Sequence, residues 1–289
     1  MDPCPKIRPL SNLIIAGIFF IFLAPGTVFA EFDIYPFGSA RAIGAGEALT
    51  AVQDNCNSVF YNPAAVDLTS GENLMAGYRK AANNEDSYVF SFVRKITDNS
   101  SVGLGINLAS TTLTSNGLNI ISFAQKINDQ FQVGVSGERK YLESAGFLGE
   151  GYAGKVGLLY NPLTYLSFGF IANNILKTNF KTSPATEESF PTDLTFGVSW
   201  LIQDNPILKR ASLDIIKRLE SRYSIGMNVG LDLQIYGIYL WKGWAYKDWR
   251  MGNSPWAEAF GAGVPILGNY RIEFTNTTDF NIFSFIGKF

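Results

Sequence analysis

Across most of the chain apolar residues fall at every second position, the spacing that puts alternate side chains on opposite faces of an extended strand. Three windows carry it most cleanly. Val102, Leu104, Ile106 and Leu108 alternate with Gly103, Gly105 and Asn107. Phe131, Val133, Val135 and Tyr141 share a face against Gln132, Gly134, Ser136, Glu138 and Lys140. Tyr223, Ile225, Met227, Val229, Leu231 and Leu233 alternate with Ser224, Gly226, Asn228, Gly230 and Asp232. Carried to the C-terminus, the pattern predicts about fourteen strands. They lie near 72–81, 86–97, 100–112, 116–127, 130–142, 149–160, 164–175, 190–203, 208–219, 222–233, 235–243, 255–264, 268–277 and 280–289. Strands in soluble proteins average about 5 to 6 residues and a tilted bilayer span takes about 9 to 11. These have the second length.

Alternation is common to membrane barrels and soluble sandwiches, so the second face has to distinguish them. Here it is Gly, Ser, Asn and Ala with scattered charges, as a lumen packed against a plug requires. An exposed sandwich face carries more Lys, Glu and Thr. The connectors 143–148, 176–189 and 244–254 are the longest, and all follow odd-numbered strands. Those after even strands are turn-like, such as Asn128-Asp129 and Asn161-Pro162-Leu163. Outer-membrane barrels show this asymmetry, with short periplasmic turns and longer outer loops. The expected fold is all-β: a transmembrane antiparallel β-barrel of about 14 strands with a short helical N-terminal plug.

The N-terminus sets the compartment. Lys6 and Arg8 precede an apolar run of 11 residues from Leu13 to Leu23, followed by Pro25 and the small-x-small site Val28-Phe29-Ala30. That is the order of a secretory signal peptide cleaved near Ala30, and the run is shorter than the ~20 residues of a spanning helix. The division expected is 1–30 signal peptide, 31–71 plug or hatch, and 72–289 barrel in a Gram-negative outer membrane.

Composition narrows the chemistry. A net charge of −2 leaves no basic footprint for nucleic acid. With no histidine in the chain, Ser-His and Cys-His nucleophiles, the imidazole base and the commonest metal ligand are all excluded. No catalytic, cofactor or metal residues are expected, and no enzyme. Cys56 is the single cysteine beyond the signal peptide, so no disulfide staples the fold.

The segment between signal peptide and first strand lacks long alternation. Ala42 to Val52 has the composition of a short helix of small residues carrying Ile43, Gly44, Gly46 and Leu49, with Val52 at its end. Asn62-Pro63-Ala64 reads as a helix start, with Asn as N-cap and Pro at the first helical position. The run AIGAGEALTAV followed by DNCNSVFYNPA resembles the N-terminal signature of the PorV/PorQ proteins, relatives of the FadL-type hydrophobic-compound transporters. The match is close over 39–68. Ala65 stands where glycine commonly follows the NPA triplet, and Glu47 where glycine is usual. The resemblance implies a region folded into the lumen ahead of fourteen strands.

Three further features bear on the barrel and its surroundings. Phe283, Phe285 and Phe289 share a face of the last strand and resemble the terminal signal read by the barrel assembly machinery. Trp241, Trp244, Trp249 and Trp256, with Tyr246 and basic neighbours, are expected as interfacial aromatics against outer-membrane lipid. Gly149-Glu150-Gly151-Tyr152-Ala153-Gly154 matches a dinucleotide fingerprint but opens a strand with no helix after it, which removes that meaning. Its glycines are expected at a kink or where plug meets wall.

Two functions from different classes stay open. One is a channel or transporter for small, hydrophobic molecules, a substrate class supplied by the resemblance. The other is a PorV-like envelope component that binds or shuttles secreted proteins in type IX secretion. A soluble exported β-sandwich adhesin is a third, and would need polar outward faces and shorter strands.

Overall fold

The computed structural model describes residues 38–53, 56–66, 72–81, 85–111, 114–144, 147–183, 186–219, 225–247, 256–266, 269–277 and 279–289. The expected signal peptide and Trp249 lie outside the described residues.

Fourteen strands close into an antiparallel barrel. The first seven are β1 (Glu72–Ala81), β2 (Asp86–Thr97), β3 (Ser100–Ser110), β4 (Thr114–Lys126), β5 (Phe131–Ser144), β6 (Phe147–Leu163) and β7 (Leu166–Asn173). After β8 (Asn179–Ser183) and β9 (Thr186–Ser189) come β10 (Asp193–Leu201), β11 (Leu208–Arg218), β12 (Ile225–Ile235), β13 (Ile238–Lys247), β14 (Trp256–Ile266), β15 (Tyr270–Thr277) and β16 (Phe280–Lys288). Every barrel strand pairs with its sequence neighbours except at β7, which pairs directly with β10. β8 and β9 form a separate two-stranded sheet inside the longest connection. That hairpin falls where the alternation suggested only a loop, in a stretch too short and polar to show a period. β1 and β16 seal the barrel from Asn73↔Lys288 to Ala81↔Phe280. Beyond Asn73↔Lys288, Glu72 and Phe289 exchange backbone hydrogen bonds of 3.3 and 2.8 Å. Closure leaves the barrel itself without an edge strand.

The alternation assigns the faces. Leu104, Ile106 and Leu108 point outward at 44, 42 and 38% exposure, while Gly103, Gly105 and Asn107 are buried inside. Phe131 and Val135 are outward and Gly134, Ser136, Glu138 and Lys140 inward on β5. The outward apolar band is bounded at both ends by aromatic rings. At the short-turn end Phe131, Tyr160, Phe168 and Phe196 stack across four strands with centroids 4.4 to 6.3 Å apart. At the other end lie the Tyr78–Tyr88 pair, Tyr152, and the Tyr246–Trp256 pair at 4.9 Å. Outward ion pairs accompany them, Lys80–Asp86 at 3.2 Å and Arg139–Glu150 at 2.7 Å. Such a wall, apolar between two polar and aromatic rims, is stable in a bilayer and not in water.

The turns after even-numbered barrel strands are short, as at 98–99, 164–165 and 236–237. The Lys95 and Lys126 ammonium groups, hydrogen-bonded to Asp98 and Asp129 at 2.9 and 2.8 Å, clasp two of these turns. They hold both carboxyls below the ordinary value.

Candidate functional site: the plugged lumen

Residues 38–53 and 56–66 lie inside the barrel, and nearly all are buried. The helix here, α1 (Ala40–Gly44), is shorter than the expected Ala42–Val52 helix. Ser39 caps it, its hydroxyl accepting from the Ala42 N–H. Helical geometry stops because Gly46 and Glu47 both take left-handed backbone conformations, φ 65° and 61°. Ile43 and Gly44 are therefore helical, whereas Gly46 and Leu49 sit in the turns that follow. Tertiary contact wins over helix propensity at this point: Gly46 presses its backbone on that of Val229 and Trp244, where a side chain would collide. A 3-10 turn spans Pro63–Ala65, with Asn62 accepting from the Ala64 N–H at 3.0 Å. The same Asn62 side chain donates to Thr50 O at 2.7 Å and to Leu158 O at 3.2 Å. One amide thus joins the two halves of the plug and fastens both to β6.

The inner wall is glycine where the plug touches it. A Cβ on Gly134 would strike the Pro63–Ala64 backbone, one on Gly230 the Ala45 carbonyl, and one on Gly243 the Gly46 backbone. Gly103 and Gly105 leave room for Val59 and Phe60. Polar wall side chains satisfy plug backbone groups. Ala40 N donates to Ser284 and its carbonyl accepts from Thr275 at 2.6 Å, Cys56 O accepts from Ser91, and Phe60 O from Lys155 at 2.7 Å. Ion pairs add to these, Arg41–Asp232 at 2.8 Å and Glu47–Lys247 at 2.6 Å.

Trp241 departs from its expected place at the membrane interface. It is 1% exposed and faces inward, its indole N–H donating to Thr275 at 2.7 Å beside Gly44 and Gly261. The strand parity that turns Gly243 and Lys247 toward the plug turns Trp241 with them, and a buried indole needs both a slot and an acceptor. Spacing to the next tryptophan carries the signal: Trp244 and Trp256 have the opposite, outward parity. Lys242 lies 5.3 Å over the Trp244 ring. Phe283, Phe285 and Phe289 all point outward. The glycine-rich stretch at 149–154 lies within β6, and a Cβ on Gly154 would meet Leu176, on the connection after β7, at 3.4 Å.

The lumen has two sectors of different chemistry. On β16 and β1 to β4 large apolar side chains alternate with small polar ones such as Asn73, Ser91 and Ser122: Met75, Val89, Val93, Leu118, Ile120 and Ile282 are at most 3% exposed and cluster with Val59, Phe60 and Val66 of the plug. Through β5 to β13 the lining is charged, with Glu138 between Lys155 at 2.9 Å and Lys140 at 3.5 Å, and Asp193 on Arg218 at 3.1 Å. Two chambers flank the plug on this side. One of about 110 Å³ opens toward the longer connections and touches Glu47, Thr50, Asp214 and Asn228. The other, about 240 Å³ at the short-turn end, is lined by Arg41, Arg210, Asp232 and Arg271.

No family model matches the chain. No curated protein matches it either. Solved structures do. The monoaromatic hydrocarbon channel CymD superimposes with a TM-score of 0.65 at 13% identity, over 90% of this chain and 99% of that one. The toluene transporter TbuX of Ralstonia pickettii gives 0.62 at 14%, over 90 and 100%. A Pseudomonas aeruginosa FadL homologue gives 0.55 at 10%, over 87 and 98%. The barrel shares the fold of these structures. At these identities the likeness is one of architecture, and it extends over nearly the full length of each neighbour.

Proposed function

We propose that this protein is exported by its N-terminal segment to a Gram-negative outer membrane, where it is a channel for small molecules of low polarity. The apolar sector of the inner wall carries this reading. Barrel interiors are ordinarily polar, yet here six large apolar side chains of β16, β1, β2 and β4 face the lumen and form one cluster with Val59, Phe60 and Val66 of the plug. A shift of Val59 and Phe60 away from that wall uncovers an apolar path beside the plug. The neighbours described as monoaromatic hydrocarbon channels and a toluene transporter support the same substrate class. The secretion-assembly alternative draws no support from them.

The experiment is uptake of radiolabelled toluene by a Gram-negative host whose lipopolysaccharide surface retards apolar solutes. Expression of the chain should accelerate toluene entry and leave glucose entry unchanged. Equal acceleration of both would make the lumen an unselective pore, and acceleration of neither would remove the channel reading.

A further inference from the structure

The chamber above the plug contains a carboxylate without a cation. Of the acids lining it, Glu47 is neutralised by Lys247, Glu138 by Lys155 and Lys140, and Asp193 by Arg218. Asp214, 2% exposed, has no ion pair among the described residues. Its Oδ2 accepts from the Thr50 N–H at 3.0 Å, and its Oδ1 accepts nothing among the described residues. Directly opposite it in register on β12 stands Asn228, 3% exposed and also turned inward. The Asn228 amide donates to the Glu47 carbonyl at 3.4 Å, which leaves its Oδ1 as a second acceptor without a donor. Cross-strand partners hold their Cβ atoms about 4.5 to 5.5 Å apart, so one small ligand can reach both oxygens.

Leaving a carboxylate buried and uncompensated is among the costliest arrangements a fold can retain, and an unpaired buried amide oxygen adds to that cost. Both deficits are of one kind, acceptor oxygens with no donor, and ionised Asp214 gives the pair a single negative charge. We infer that Asp214 and Asn228, with the plug segment at Glu47–Thr50, form a site for one small monovalent cation that takes oxygen ligands, either an alkali ion or the ammonium head of an amine. Carboxylate and amide oxygens suit a hard cation. One positive charge balances Asp214 where a divalent ion would leave an excess. The chamber's small volume favours a bare ion or a single ammonium group over a bulky quaternary one. Thr50 and Glu47 belong to the plug and the two oxygens to the wall, so the site lies where plug meets barrel. None of this depends on which solute crosses the membrane.

The test is the thermal unfolding midpoint of the full-length protein in detergent, followed by circular dichroism at constant chloride with sodium, methylammonium or tetraethylammonium as the counter-ion. Sodium should raise the midpoint over tetraethylammonium in a saturating manner, as mass action requires of a ligand bound only by the folded state. Asp214→Asn should abolish the sodium increment and should itself unfold at a higher temperature than the parent in tetraethylammonium, because the orphan charge is gone. Asn228→Asp, which adds a carboxylate, should enlarge the increment. A rise with methylammonium and none with sodium supports the site and assigns it to an amine. Identical midpoints of the parent in all three salts, an undiminished increment in Asp214→Asn, or an unchanged one in Asn228→Asp overturns the inference.

Discussion

Glycine to alanine substitutions along one strand measure how closely plug and wall are fitted, and β5 supplies both the severe case and its control. A Cβ on Gly134 would lie against the backbone of Pro63 and Ala64, atoms that no rotamer change can move aside, whereas a Cβ on Gly137 finds nothing within 4 Å. Overpacking a well-filled interior costs about 1 to 3 kcal/mol, and at 1.4 kcal/mol per tenfold a middle value of about 2 kcal/mol lowers the plug's docking equilibrium constant roughly 30-fold, raising the undocked fraction that a protease can cut. Gly105→Ala should fall between, because the atoms it meets at 2.9 to 3.0 Å belong to the Phe60 and Val59 side chains, which can give way. Gly137→Ala should be neutral or slightly stabilising, since glycine weakens strands. The assay pairs protease cleavage of the plug in reconstituted barrels with heat-modifiability of the barrel itself. Cleavage should rise in the order Gly137→Ala, Gly105→Ala, Gly134→Ala while all three barrels stay folded. A Gly134→Ala protein as protected as its parent would mean that Pro63 and Ala64 do not rest on β5.

Leu104→Arg puts a charge on the outward face where leucine is 44% exposed, and should cost about 2 to 4 kcal/mol near the bilayer midplane; a heat-modifiable band at parental yield would contradict the assignment of faces. In single-tryptophan variants, brominated acyl chains should quench the fluorescence of Trp244 and Trp256 and spare Trp241, and equal quenching of all three would remove Trp241 from the lumen. Deleting residues 31–71 should leave a barrel that assembles and conducts more than the intact chain, because fourteen strands enclose too wide a space for wall side chains alone to fill; unchanged single-channel conductance would place the segment outside the lumen.

Period-2 alternation, read together with strand length and the small polar residues of the second face, makes the barrel legible in the sequence, because each strand must show one face to hydrocarbon and the other to the lumen. Leu104 against Gly105, or Val135 against Ser136, states that choice locally. The plug's presence is also legible, as a break in alternation between two regions of different composition. What the plug does with its residues is not. The left-handed turn at Gly46 and Glu47 and the fastening of Asn62 to β6 come from contacts between segments more than ninety residues apart, and the slot that holds Trp241 is made by Gly44, Gly261 and Thr275 on other elements. Residue type at one position does not report the surface that will press on it from across a lumen. Likewise the pairing of Asp214 with Asn228, and the balance of the surrounding charges, exist only after register has brought β11 and β12 together and closure has laid the plug on top. A local pattern selects strand and face; which groups meet inside is decided by closure of the barrel, since only then does each inward side chain acquire its neighbours.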